Sequence, residues 1–149
     1  QTVNVLQAMI LTDKEKMIRT PTYWVYEMFK VHQGGTVLPV DLQSPDYVFG
    51  QERIPAVSAS ATKAAGTPAV HLSLTNSHPS QPLTVAVRLE GLSPASAAGR
   101  VLTAPAMNSH NTFAAPDVVR PVTFEGMTLA GGTLTLTLPA KSVVIVELK

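Results

Sequence analysis

TVNVLQAMI (Thr2–Ile10), DKEK (Asp13–Lys16) and TPTYWVYEMFKVHQ (Thr20–Gln33) stand close together at the start of this chain. Their order decides how the rest is read. The first is an apolar run with the texture of a strand, the second a charged loop, the third a helix. Thr20 suits the N-cap, and Pro21 at the first helical position gives up only an N–H that has no intrahelical partner. Val25, Met28, Phe29 and His32 recur at helical spacing, and Gly34-Gly35 supply the left-handed backbone that ends helices. Four of the eight aromatic residues (Tyr23, Trp24, Tyr26, Phe29) crowd into this helix, so it is expected to be covered on more than one side. A strand followed by a helix is a βα unit. Such a unit needs strands on either side and a helical layer outside. No further βα unit follows, so its partners are expected in polypeptide outside this chain.

After Gly34-Gly35 the hydrophobic period changes from helical to alternating. Val70, Leu72 and Leu74 alternate with His71 and Ser73; Leu83, Val85, Val87 and Leu89 with Thr84, Ala86 and Arg88; Leu134, Leu136 and Leu138 with threonines. Further strands are expected at 36–42, 56–61, 99–103, 118–124 and 143–148. Turn-forming clusters separate them at 66–68, 76–82, 91–94 and 131–132. About eight short strands at this spacing describe an antiparallel β-sandwich. The closing run KSVVIVELK lacks clean alternation, which places it as a central strand buried on both faces.

Composition narrows the function. The 149 residues carry 45% hydrophobic side chains, enough for a packed core. A net charge of +1 with no basic run gives no electrostatic case for nucleic acid or an anionic membrane. The absence of cysteine excludes disulfides and thiolate chemistry. No apolar run reaches the roughly 20 residues that span a bilayer. No basic–apolar–small leader is visible, so any targeting signal is removed or lies upstream; a cytoplasmic location is expected.

Four blocks carry a resemblance to a known family. NVLQAMILTD (Asn4–Asp13), TPTYWVYEMFKVHQ (Thr20–Gln33), GRVLTAPAMNSHNTFAAP (Gly99–Pro116) and LPAKSVVIVELK (Leu138–Lys149) resemble the C-terminal part of glycoside hydrolase family 51 α-L-arabinofuranosidases. The resemblance runs over essentially the whole chain. It implies a mainly β fold: a jelly-roll-like antiparallel sandwich at residues 34–149, preceded at residues 1–33 by the last βα unit of a (β/α)8 barrel. It also implies an exo-acting, retaining glycosidase that releases terminal arabinofuranosyl residues from arabinan, arabinoxylan or their oligosaccharides. Partners would be the remainder of the barrel, that saccharide, and further copies in a homo-oligomer; no cofactor and no metal are implied. The family's acid/base and nucleophilic glutamates lie at the ends of the fourth and seventh barrel strands, whereas this chain matches from about the eighth. No glutamate here inherits either role, and the chain alone is expected to be inactive.

Two residues are candidate substrate contacts. In a (β/α)8 barrel the site lies at the C-terminal ends of the strands, here the end of Thr2–Ile10 and the loop 11–19. Two roles fit Gln7: a hydrogen bond to a sugar hydroxyl, or a buried amide satisfied by a neighbouring strand or barrel-layer residue. Arg19 stands where some family members place a sugar-contacting glutamine; a solvated loop arginine is its other reading. Trp24, where relatives often have histidine, forms either a subsite wall or helix–barrel packing, the latter being commoner. His71 and His78 are expected to face solvent. His32 at the helix end would suit the dipole when partly charged. Asn108, His110 and Asn111 are expected to lock the loop 104–116 by side chain–backbone bonds. A free-standing carbohydrate-binding or structural module is the alternative. It is weakened because the sandwich region holds no Trp and only Tyr47, Phe49, Phe113 and Phe124.

Overall fold

A computed structural model describes residues 2–149. Its centre is a six-stranded antiparallel sheet. The strands are β3 (Thr36–Leu38), β6 (Val57–Lys63), β7 (Val70–Asn76), β9 (Ala97–Leu102), β10 (Val122–Thr123) and β13 (Ser142–Leu148), in the order β10-β9-β13-β7-β6-β3. A three-stranded sheet lies against it: β8 (Leu83–Arg88), β11 (Met127–Ala130) and β12 (Thr133–Leu138), ordered β11-β12-β8. The expected antiparallel sandwich is therefore present.

Alternation explains the inner faces. Leu134, Leu136 and Leu138 of β12 are fully buried, while the threonines between them look outward. They pack on Val57, Val70, Leu72 and Leu74 from one side of the large sheet and on Val144, Val146 and Leu148 of β13. Burying one such leucine contributes roughly 1.5–3 kcal/mol, so this layer dominates the stability of the sandwich. β13 pairs with both β7 and β9, as its weak alternation implies. Ile145 points the other way, into a second core with Met28, Leu102 and Val119. The outer face of the large sheet is thus roofed, which is why both faces of the closing run are apolar.

The roof is helix α1 (Pro21–Phe29), continued by a 3-10 turn at Lys30–His32. Trp24, Val25, Phe29 and Val31 pack around Met28 on that second core. Gly34 then takes φ +70, and a Cβ on Gly35 would stand 3.0 Å from the Lys63 carbonyl. The chain can leave the helix and pass against β6 only because neither residue carries a side chain.

The first ten residues differ from the expected strand. Thr2–Ile10 is not extended: Asn4 (φ 53) and Gln7 (φ 62) break it, and only an isolated parallel bridge joins Val3 to Ile10. An antiparallel hairpin follows instead, β1 (Ile10–Asp13) with β2 (Lys16–Arg19). An apolar run with no ladder partner on either side cannot satisfy its N–H and C=O groups as a strand. Thr12 N–H and Thr12 Oγ1, both 2.7 Å from the Asn4 side chain, hold the bend instead. A second hairpin, β4 (Asp46–Phe49) with β5 (Glu52–Pro55), also stands outside both sheets. The sequence reading missed it, together with β11.

Candidate functional site

The corner where β2 turns into α1 gathers the residues that the sequence singles out. Thr20 is the N-cap, and its Oγ1 accepts from the Tyr23 N–H at 3.4 Å. The same hydroxyl donates to the Ala8 carbonyl at 2.6 Å, and the Thr20 N–H donates to the Met9 carbonyl at 3.0 Å. The bend before β1 is thereby tied to the helix start. Arg19, opposite Ile10 in the hairpin, carries its guanidinium 5.4 Å from the Tyr23 ring centre and 5.3 Å from that of Trp24. The two rings meet edge to face at 5.1 Å and 84°. A cation over two aromatic faces is attracted by about 0.5–1 kcal/mol at an exposed site. That is enough to bias the direction of a long side chain, though too little to lock it.

Arg19 is exposed at this corner. Gln7 is exposed in this chain too, at a left-handed bend. The backbone brings both residues to the same end of the hairpin. No hydrogen bond links their side chains among the described residues. The Trp24 ring packs on the second core, on the sandwich side of the helix, and beside Arg19. Its indole Nε1 is buried without a hydrogen-bond partner among the described residues, an orphan donor of the kind that costs stability or awaits an acceptor.

The decisive residue of the corner lies far away in sequence. Asn111, 4% exposed, donates from Nδ2 to the Arg19 carbonyl at 2.8 Å and to the Val119 carbonyl at 2.9 Å. Its Oδ1 accepts from the Val119 N–H at 2.7 Å. Asn111 therefore does lock its loop, as expected, and also reaches across to the hairpin. His110 contributes a bond between Nδ1 and the Asn108 carbonyl at 2.9 Å. The polar NSHNT run was the only signal, and nothing in it pointed to Arg19.

Three histidines differ from their expected settings. His71 does not face solvent: its side chain is 12% exposed, 3.6 Å from Glu147, because the 3-10 turn covers that face of β7. His78 is half-buried against Tyr47, and its Nδ1 accepts from the Ser80 and Gln81 N–H groups. His32 is not favoured in its charged form. Burial first, and neighbouring His71 second, hold its pKa below 6.5.

The carboxylates are dispersed over the fold. Glu15 sits in the β1–β2 turn, Glu27 on α1, Glu52 on β5, Glu90 after β8, Glu125 between β10 and β11, and Glu147 on β13. Glu27 is engaged by Arg100 at 3.0 Å and Glu147 by Lys149 at 2.9 Å. Retaining glycoside hydrolysis needs two carboxyl groups about 5–5.5 Å apart across the sugar. These placements do not converge on one cleft. Two hollows lie away from the corner. One of about 260 Å³ is lined by Met28, Val31, His71, Arg100 and Glu147. A larger apolar groove of about 900 Å³ runs between the sheets beside β8 and includes none of the corner residues. No helix among the described residues is long and apolar enough to cross a membrane.

Comparison with known proteins agrees with this geometry. A family model described as the α-L-arabinofuranosidase C-terminal domain matches residues 1–142. An intracellular exo-α-L-arabinofuranosidase of Bacteroides ovatus is 39% identical over all of this chain and 29% of its own length. The crystal structure of a GH51 arabinofuranosidase from Xanthomonas axonopodis pv. citri superposes with a TM-score of 0.96 at 47% identity, covering 100% of this chain and 30% of that one. A family 51 α-L-arabinofuranosidase from Bifidobacterium longum gives 0.88 at 27% identity, over 100% of this chain and 30% of its own. The chain thus spans about three-tenths of the length of these relatives.

Proposed function

The chain belongs to the α-L-arabinofuranosidase C-terminal domain family, and on that premise we propose that it is the C-terminal segment of a retaining, exo-acting α-L-arabinofuranosidase. The parent enzyme releases terminal arabinofuranosyl residues from arabinan, arabinoxylan or their oligosaccharides, in the cytoplasm and as a homo-oligomer. Residues 1–33 close its (β/α)8 barrel and residues 34–149 form the accessory sandwich. The two catalytic glutamates belong to the rest of the barrel, and this chain needs no cofactor.

The observation that carries this reading is the match to the Xanthomonas enzyme along the full chain at 47% identity. The corner adds a chemical reason. Arg19 on its aromatic support and Gln7 at the exposed bend offer hydrogen-bond donors and an amide at one lip, suited to sugar hydroxyls. Both would contact substrate at the barrel mouth, where βα loops build the site. Leu6, 95% exposed beside Gln7, is apolar surface for the remainder of the barrel to cover. A free-standing carbohydrate-binding module fits less well. Tyr47 meets the His78 ring edge to face and Phe124 is buried, so neither offers a free face for a sugar to stack on.

The test is hydrolysis of 4-nitrophenyl α-L-arabinofuranoside. The parent enzyme is expected to cleave it with retention of configuration, and residues 1–149 alone to show no turnover. Activity in the isolated chain, or none in the parent, would overturn the proposal.

A further inference from the structure

We propose that Asn111 is a positioning residue for substrate binding, acting through the main chain of Arg19; this rests on the reading of Arg19 as a sugar contact. The sandwich then does more than support the barrel. One of its loops sets where the guanidinium at the lip stands.

The geometry of the Asn111 amide is fully determined. Both Nδ2 hydrogens are used, one on the Arg19 carbonyl and one on the Val119 carbonyl, and Oδ1 takes the Val119 N–H. Flipping the amide would turn Oδ1 toward two carbonyl oxygens and Nδ2 toward an N–H, so only one orientation is allowed. The two bonds to Val119 clip the long loop between Leu102 and Val122 into a closed ring. Thr112 and Ala115 exchange backbone bonds at its tip, both 3.1 Å. The ring is anchored below by Val119 itself, packed into the core beneath α1 with Met28 and Ile145. Asn111 therefore projects from a rigid base, and its remaining hydrogen reaches a residue 92 positions away.

Arg19 sits where such a grip matters. It is the last residue of β2, immediately before the N-cap, and its side chain lies over the first turn of α1. Its position relative to Tyr23 and Trp24 depends on the height of its own main chain. A shift there would carry the guanidinium off the rings and away from the lip. The energetic demand for a hydrogen bond is strong, since the Asn111 amide is buried and an unpaired buried donor is costly. The bond to Arg19 thus couples a sandwich loop to the barrel mouth, and catalytic groups held by other elements are unaffected. The expected signature is weaker substrate binding with an unchanged chemical step.

The experiment uses the parent enzyme with 4-nitrophenyl α-L-arabinofuranoside. Asn111→Ala and Arg19→Ala are each expected to raise KM about tenfold with kcat changed less than about twofold. The double variant should be no worse than Arg19→Ala alone, because Asn111 acts only through that residue. Asn111→Asp keeps the acceptor for the Val119 N–H but loses the donors to the Arg19 and Val119 carbonyls, so it should reproduce the KM effect with one of the two bonds that clip the loop still in place. It also serves if the alanine variant fails to fold. Unchanged KM in an active Arg19→Ala, Asn111→Ala or Asn111→Asp enzyme overturns this inference alone, as do additive effects in the double variant. A wild-type enzyme inactive on this substrate overturns the functional reading beneath it.

Discussion

His32 Nδ1 and Thr62 Oγ1 lie 2.7 Å apart, a hydrogen bond that ties the 3-10 turn after α1 to β6 of the large sheet. The other ring nitrogen, Nε2, is buried without a partner among the described residues, and the His71 ring stands 6.3 Å away. A proton on His32 would place a charge beneath the helix with nothing to solvate it. Desolvation by burial and then His71 accordingly hold its pKa below 6.5. In the window between the lowered folded value and 6.5, the unfolded chain binds a proton that the folded chain does not. The contribution of neutral His32 is therefore complete above 6.5 and is lost as pH falls through the folded pKa. Thermal melts between pH 8 and 5 should show a decline on the order of a few degrees beginning near 6.5, with a flatter profile in His32→Gln. Equal slopes for the two proteins would exclude His32 as the cause.

Glu147 titrates in a lower window. Its hydrogen bond to Lys149 is the main reason its pKa lies below 4.5, and His71 adds to the effect. Its contribution is present above 4.5 and lost as pH falls through the folded value. Because the side chain is still 36% exposed, solvent screening keeps that contribution small. Lys149→Ala should therefore lower Tm slightly at pH 7, by a difference from the wild type that vanishes as pH falls below 4.5. A Tm loss that persists undiminished at low pH would show that Lys149 packs rather than pairs.

Packing, not charge, docks α1 on the sheet. Met28 is 1% exposed among Leu102, Val119 and Ile145. Met28→Ala should cost about 2–5 kcal/mol, the range for truncating a core side chain. The Glu27–Arg100 pair joins the same two elements, but its side chains are 23% and 47% exposed. Glu27→Gln should cost less than about 1 kcal/mol. Denaturant melts followed by Trp24 fluorescence separate the two, and a larger loss for Glu27→Gln would reverse this ranking.

Asn76 is the polar keystone of the sandwich end. Its Nδ2 donates to the carbonyls of Gln81 and Pro139, both at 2.9 Å, and its Oδ1 accepts from the His78 N–H at 2.9 Å. It thereby pins the turn after β7 to the turn before β13. Asn76→Ala strands several buried groups and should cost about 2–4 kcal/mol. Asn76→Asp, which retains only the acceptor, should lie close to the alanine variant.

Expressed alone, residues 1–149 should associate. Leu6, Val37, Phe49 and Met107 are each more than 70% exposed, and a net charge of +1 offers little repulsion between copies. Light scattering at increasing concentration checks this. A monomer at the highest concentration would show that these side chains do not form adhesive surface.

Much of the fold was legible along the chain, because a period of two constrains each side chain to one face. Leu134, Leu136 and Leu138 could only face inward, and the apolar KSVVIVELK run could only be central. β8 shows the limit of the same rule. Leu83, Val85 and Val87 alternate as cleanly, yet they are only half-buried, because β8 is the edge of a three-stranded sheet beside an open groove. Alternation marks a face and says nothing about how much covers it.

Local pattern along the chain carries the sandwich, the helix from its Thr-Pro cap toward Gly34-Gly35, and the family. Three other matters rest on how distant segments meet in space. Tertiary packing bent Thr2–Ile10 at Asn4 and Gln7, because an apolar strand without neighbours has no ladder to join. It covered most of His71 and lowered the pKa of His32, because the outer face of the sheet is roofed by a helix whose docking no strand pattern encodes. And it brought Asn111 to Arg19, a contact across 92 residues set by where two loops end in space.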